Sequence, residues 1–162
     1  MGYATAMWLG FGEALAAVAG ALTGLLFVAI SVKTGALAAS LSLSSRAAQT
    51  LVLFMTSVLI AVLLVAPQPP PALGSELLVL AAVSGTALLI LDRRAGHGSR
   101  QGVPRYIERF SPNTITAVLV GVAGLTFLLK AGGGLYWLIP DVAASLVGGV
   151  VNAWLFLVRV TS

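Results

Sequence analysis

The chain of 162 residues contains no cysteine. Disulfide staples, thiolate metal ligands and a cysteine nucleophile are therefore excluded, and the redox compartment leaves no trace in the sequence. Charge is almost as scarce: 9% of the residues are Asp, Glu, Lys or Arg, where a soluble domain carries roughly 25%. With 59% hydrophobic residues, the chain has too little polar surface to clothe a water-facing globule. Lipid is the expected solvent. Histidine occurs once, as His97 in a glycine-rich stretch with no other ligand at metal spacing, and it reads as a loop residue. No phosphate loop, dinucleotide fingerprint, nucleophile elbow or paired acid/base constellation is present. The sequence points to no metal, no cofactor and no catalytic residue. The net charge of +4 comes without a basic helix face or an aromatic stacking module, so nucleic acid is not an expected partner.

What the chain has in abundance is apolar length. Five runs cover about residues 8–32, 47–66, 74–91, 113–130 and 137–160. A hydrocarbon core about 30 Å thick needs roughly 20 helical residues. The runs are continuous, not alternating, which argues against a barrel; backbone groups in hydrocarbon are then satisfied within helices. The expected fold class is all-α, a polytopic bundle of five transmembrane helices forming a single domain over 1–162. Local signals mark the ends. Pro67 stops the second run, Asp92-Arg93-Arg94 closes the third, and Ser111-Pro112 opens the fourth. Lys130 and Gly132-Gly133-Gly134 end the fourth, and Pro140 is tolerated in the opening turn of the fifth. The cluster Pro67-Gln68-Pro69-Pro70-Pro71 reads as a stiff, tight turn.

The basic residues sort by side. Lys33 and Arg46 follow the first run, Arg93, Arg94, Arg100, Arg105 and Arg109 follow the third, and Arg159 ends the fifth. Only Lys130 falls on the opposite side. The positive-inside rule makes the 92–112 loop cytoplasmic, with the N-terminus out and the C-terminus in. A four-span chain, with the third run lying in the interface, would separate the two basic loops. No Lys or Arg precedes the first run, which is therefore expected to be an uncleaved helix. Arg93, Arg94, Arg105 and Arg109 are expected to meet anionic lipid headgroups at the inner face. Residues 95–99 read as a flexible stretch and 105–110 as compatible with a short surface helix.

Glu13, Glu76 and Asp141 lie close to the starts of runs that begin on the outer side. They form an outer acidic cluster able to draw cations, or they merely compensate helix dipoles. Glu13 is set deeper than the others, beside Gly12, Ala16, Gly20 and Gly24, whose four-residue spacing suits close helix packing. In the fifth run Asp141, Ser145, Gly148 and Asn152 share one helix face. Together with Thr23 on the first run, Glu13, Asp141, Ser145 and Asn152 are the candidate lining of a polar path. For Asp141 compensation of the helix dipole is the plainer reading, and for Asn152 an interhelical hydrogen bond. Glu13 reads equally as a functional group or as part of a buried structural pair. A weaker stripe runs through Asn113, Ala117, Gly121 and Gly124.

The segments 21–31 (ALTGLLFVAIS), 132–140 (GGGLYWLIP), 151–154 (VNAW) and 73–78 (LGSELL) resemble those of small multispanning actinobacterial membrane proteins of uncharacterised function. Some members of that group are labelled as modulators of a membrane-bound protease. The resemblance implies five spans and a multi-pass location in the bacterial cytoplasmic membrane, and it implies no binding residues. The functional expectation is a homo-oligomeric channel or transport protein with its polar path lined from the first and fifth spans. The alternative is a non-catalytic scaffold or modulator that binds another membrane protein.

Overall fold

A computed structural model describes residues 2–32, 41–96 and 112–160. The side chains at 41–43, 95–96, 112–113, 152 and 155–160 lie outside that description, as do residues 33–40 and 97–111. Arg100, Arg105, Arg109, His97, Lys33 and the 105–110 segment therefore fall outside the described residues, and so do the side chains of Asn113, Asn152 and Arg159. Among the described residues there is no strand. A 3-10 turn, Thr5–Trp8, leads into α1, Leu9–Val32. Then follow α2, Leu41–Val65; α3, Pro70–Gly96; α4, Pro112–Leu129; a second 3-10 turn, Gly134–Trp137; and α5, Leu138–Val160.

Helices α1, α2, α3 and α5 are long and apolar enough to cross a membrane, and α4 contributes a shorter apolar stretch, Thr114–Leu129. The outward surface is apolar as well. Leu25, Val28 and Val32 on α1, Val79 and Val83 on α3, Val118 on α4 and Val147 on α5 all stand exposed. Water would penalise an apolar surface of this extent, whereas lipid does not. The protein is membrane-embedded.

Helix α2 is the hub. It packs on α1, α3 and α5, while α4 packs on α3 and α5. The four helices α2, α3, α4 and α5 close a ring, and α1 stands outside it against α2. Leu77, Val120, Ala123, Ile60, Ala61 and Leu138 fill the ring's interior. The position of α1 shows in its burial: 17% of its apolar window is buried, against 44% for α2.

Glycines set the closest approach, as expected in lipid, where apolar burial between helices gives no drive and contact distance matters. A Cβ at Gly124 would stand 3.0 Å from the Gly74 carbonyl oxygen, and one at Gly74 would stand 2.6 Å from Leu128 Cγ. Ala117 faces Gly85 and Gly121 faces Ala81 across the same seam. Ala117, Gly121 and Gly124 of the weaker stripe thus lie on the α3–α4 packing face.

The helix boundaries refine the sequence reading. The third helix is longer than its apolar run at both ends. Pro70 and Pro71 begin α3 instead of extending a stiff turn, because a proline in the first helical turn lacks an N–H that would have no partner anyway; Ala72 and Leu73 donate to the Pro69 carbonyl. At the other end α3 continues through Arg93 and Arg94 to Gly96, so Ala95 and Gly96 are helical, not part of a flexible stretch. Gln68 Nε2 donates to the Leu63 carbonyl at 2.9 Å and closes the end of α2. Helix α4 ends with Lys130 at φ 51. Lys130 N–H bonds the Phe127 carbonyl and Ala131 N–H bonds Thr126, the paired bonds of a Schellman cap with lysine in the place glycine usually holds.

Candidate functional site

Hydroxyls in these helices mostly serve their own backbone. Thr23, Thr56, Ser84 and Thr126 each donate to the carbonyl four residues earlier at 2.7 Å. That offsets the cost of a polar group in a dry setting and commits the hydroxyl proton to the helix itself. Thr23 belongs to this class: it is buried, its proton is committed to Ala19, and it does not line a polar path.

Ser57 and Ser145 differ. Their oxygens meet across the α2–α5 contact at 2.9 Å, fully buried. Ser57 also lies 3.2 Å from the Leu53 carbonyl, and Ser145 lies 3.0 Å from the Val142 carbonyl. Two hydroxyl protons can fill only two of these three contacts at once. Either Ser57 donates to Ser145 and Ser145 to Val142, or Ser145 donates to Ser57 and Ser57 to Leu53, so the pair has two alternative arrangements.

One turn earlier on the same face of α5 stands Asp141. Its side chain is 1% exposed, and Oδ1 is buried without a hydrogen-bond partner. Asp141 lies in the first turn of its helix, where a carboxylate commonly caps free N–H groups. Oδ1 caps nothing. The preceding 3-10 turn, Gly134–Trp137, occupies the place a cap would take, since the Leu138 N–H is directed to carbonyls within it. A carboxyl group with an idle oxygen inside a membrane protein is expensive to keep.

The three acidic positions do not share this setting. Glu13 is exposed on α1, and Glu76 is exposed beside a groove between α2 and α3 lined by Leu59, Leu63 and Val79. Among the described residues no group of three or more His, Cys, Asp or Glu side chains is placed to hold a metal ion. Glu13 is also shallower than its place in the run suggests. Its neighbour Gly12 packs against Leu64 and Val65, at the last turn of α2. The space that α1, α2 and α5 share, about 240 Å³, is lined by Leu22, Leu25, Leu26 and Ala29 with Phe54, Val150, Ala153 and Trp154. It is apolar throughout. Within one chain, Glu13 and Thr23 do not continue the line of Asp141 and Ser145 into a polar path.

The packing residues divide too. Gly12 is buried and Ala16 half-buried, but Gly20 and Gly24 are exposed, and a Cβ at either would meet nothing within 4 Å. Each residue turns the helix by about 100°, so a four-residue step overshoots a full turn by about 40°. The stripe therefore winds from the packed face of α1 to its open face. Gly148 is half-buried, whereas its neighbour Gly149 is the position where a Cβ would collide with the Phe54 ring.

Two features carry no obvious mark in the sequence. Ser57 is one; its only signal is helical spacing with Leu53, Ile60 and Leu64, all buried. The other is a polar tie nearer the opposite end of the bundle, where Gln49 Nε2 donates to Asp92 Oδ1 at 2.6 Å between α2 and α3. Arg93 and Arg94 are exposed on the last turn of α3. Comparison with protein-family models, with curated proteins and with solved structures finds no match to this chain.

Proposed function

We propose that this protein is a membrane transport protein in which Asp141, backed by the Ser57–Ser145 pair, takes up and releases a proton. The observation that carries this reading is the idle, buried Asp141 Oδ1. A bare carboxylate there needs a counter-charge, and among the described residues no cationic side chain is paired with it. The four side-chain oxygens of Asp141, Ser57 and Ser145 are few for a dehydrated metal ion, which takes about six or more; a proton needs one. The Ser57–Ser145 pair, one turn along the same face, can reorient its protons without moving any heavy atom. The protein belongs in this reading to a bacterial cytoplasmic membrane, with the N-terminal end of the bundle outside and the basic 92–112 loop inside.

A homo-oligomer is part of the proposal. The open face of α1, with Gly10, Gly20 and Gly24 free of contacts, suits a second helix at close distance. Proton flux through purified protein in liposomes tests the transport reading. Flux that Asp141→Asn abolishes supports it, and wild-type protein that gives no flux of protons or other cations refutes it. The same open face favours a second reading, a non-catalytic membrane partner or modulator. That reading requires a stoichiometric heterologous membrane protein on α1, whereas the first requires another copy of this chain. Crosslinking from α1 in native membranes separates the two.

A further inference from the structure

The N-terminal segment leaves α1 outside the ring and crosses to the far side of the bundle end. Leu135 N–H donates to the Gly2 carbonyl at 3.1 Å, and Gly133 N–H donates to the Tyr3 hydroxyl at 3.1 Å. The Tyr3 ring lies 6.2 Å from that of Phe127, and Trp8 meets Tyr136 edge to face at 5.2 Å. Gly134 has φ +59, and a Cβ there would stand 2.7 Å from both the Gly2 carbonyl oxygen and the Tyr3 ring. Backbone lies directly on backbone, which only glycine allows.

Below this crossing lies the start of α5, which carries Asp141. Leu135 and Leu138 are fully buried, Leu138 joins Trp8 in the same core cluster, and Asp141 is one helical turn beyond Leu138. Two hydrogen bonds, the aromatic edges and the burial of Gly2 and Trp8 hold the crossing, and the Thr5–Trp8 turn has no side-chain cap. It is continuous with α1, the one helix outside the ring.

We infer that residues 2–8 form a strap that seals Asp141 from water at this end of the bundle, and that lifting it opens the route by which the proton arrives or leaves. The inference rests on the reading of Asp141 as the proton site. It also couples that site to α1: whatever binds the open face of α1 pulls on, or steadies, the strap. Tyr3 acts as a latch through its hydroxyl. Phe127, Leu135 and Leu138 form the apolar floor that stays shut while the latch holds.

The test measures modification of Asp141 in proteoliposomes by a water-soluble, membrane-impermeant carbodiimide applied to the strap face. A membrane-permeant carbodiimide, which arrives through lipid, serves as reference. Tyr3→Phe removes the latch bond and keeps the ring contact; the impermeant rate is expected to rise several-fold while the permeant rate stays put. The cysteine-free chain also allows a reversible lock, with Trp8→Cys joined to Tyr136→Cys by a short cleavable bismaleimide. Locking is expected to lower the impermeant rate at least tenfold, and cleaving the linker in the same sample to restore it. Equal impermeant rates with the strap locked, unlocked and lacking the latch bond overturn the strap and leave the Asp141 site standing. No modification of Asp141 by either reagent removes the site and the strap together.

Discussion

Glycines of one stripe should behave in opposite ways when a single methyl group is added. At Gly12 the new Cβ would stand 3.0 Å from Leu64 Cβ and from Val65 Cγ2, and 3.3 Å from the Ala61 carbonyl oxygen. Two of these neighbours are fixed to or part of the α2 backbone, so relief requires α1 and α2 to separate by a few tenths of an ångström. Overpacking of this kind costs about 1–3 kcal/mol. It is offset by about 1 kcal/mol from the better helix propensity of alanine, so Gly12→Ala should destabilise by about 0–2 kcal/mol. At Gly24 nothing lies within 4 Å of the added carbon, and Gly24→Ala should stabilise the subunit by about 0.5–1 kcal/mol. Unfolding of the purified protein in mixed micelles, titrated with a denaturing detergent, measures the difference of about 2 kcal/mol. The reasoning fails if the two variants shift stability alike, or if Gly24→Ala costs the dispersed subunit more than Gly12→Ala. Gly24→Leu extends the test: the subunit should tolerate it, and crosslinked oligomers in native membranes should be lost if copies meet through the open face of α1.

Other substitutions probe separate contacts in the same detergent assay. Lys130→Gly relieves a left-handed lysine in the Schellman cap and should stabilise by about 0.5–1 kcal/mol; loss of stability would contradict the φ of 51 found there. Gly149→Val drives a side chain into the Phe54 ring, itself 2% exposed, and should cost about 2–3 kcal/mol, whereas the exposed Val147 tolerates Leu. Gln49→Leu removes the charge-assisted tie to Asp92. Asp92 keeps a further interaction, so the loss should fall at the low end of about 1–3 kcal/mol.

Apolar length was enough to find the five long helices among the described residues, because continuous apolar runs satisfy their backbone in lipid as helices. Their ends were harder where composition and conformation part company. Pro70 and Pro71 look like loop residues but fit the first turn of α3, and Asp92 looks like a terminator but is tied into the bundle by Gln49. The rotation of each helix was legible only in part. Four-residue spacing in α1 suggested one continuous face, yet over Gly12 to Gly24 the accumulated overshoot carries the last glycines away from α2. The same rotational ambiguity misdirected attention among the carboxylates. Glu13 seemed deep by its distance from Trp8, but the 3-10 turn and the strap place it near the end of α2, on the open side. Asp141 seemed an ordinary helix start, but the 3-10 turn before α5 removes the need for a cap and leaves the side chain pointing into the bundle. Ser57 could not be singled out from other hydroxyls, since only its partner on α5 distinguishes it from those that bond their own helix.

The central claim is that the Asp141 carboxyl group binds and releases a proton inside the bundle. Difference infrared spectroscopy on the reconstituted protein, stepped in pH, tests this at the group itself. The account predicts a carboxylic-acid C=O band that changes with pH, disappears in Asp141→Asn, persists in Glu13→Gln, and shifts in Ser145→Ala through the altered hydroxyl pair nearby. A spectrum in which no pH-dependent band is lost with Asp141→Asn, or in which the band responds to sodium and not to protons, would contradict it.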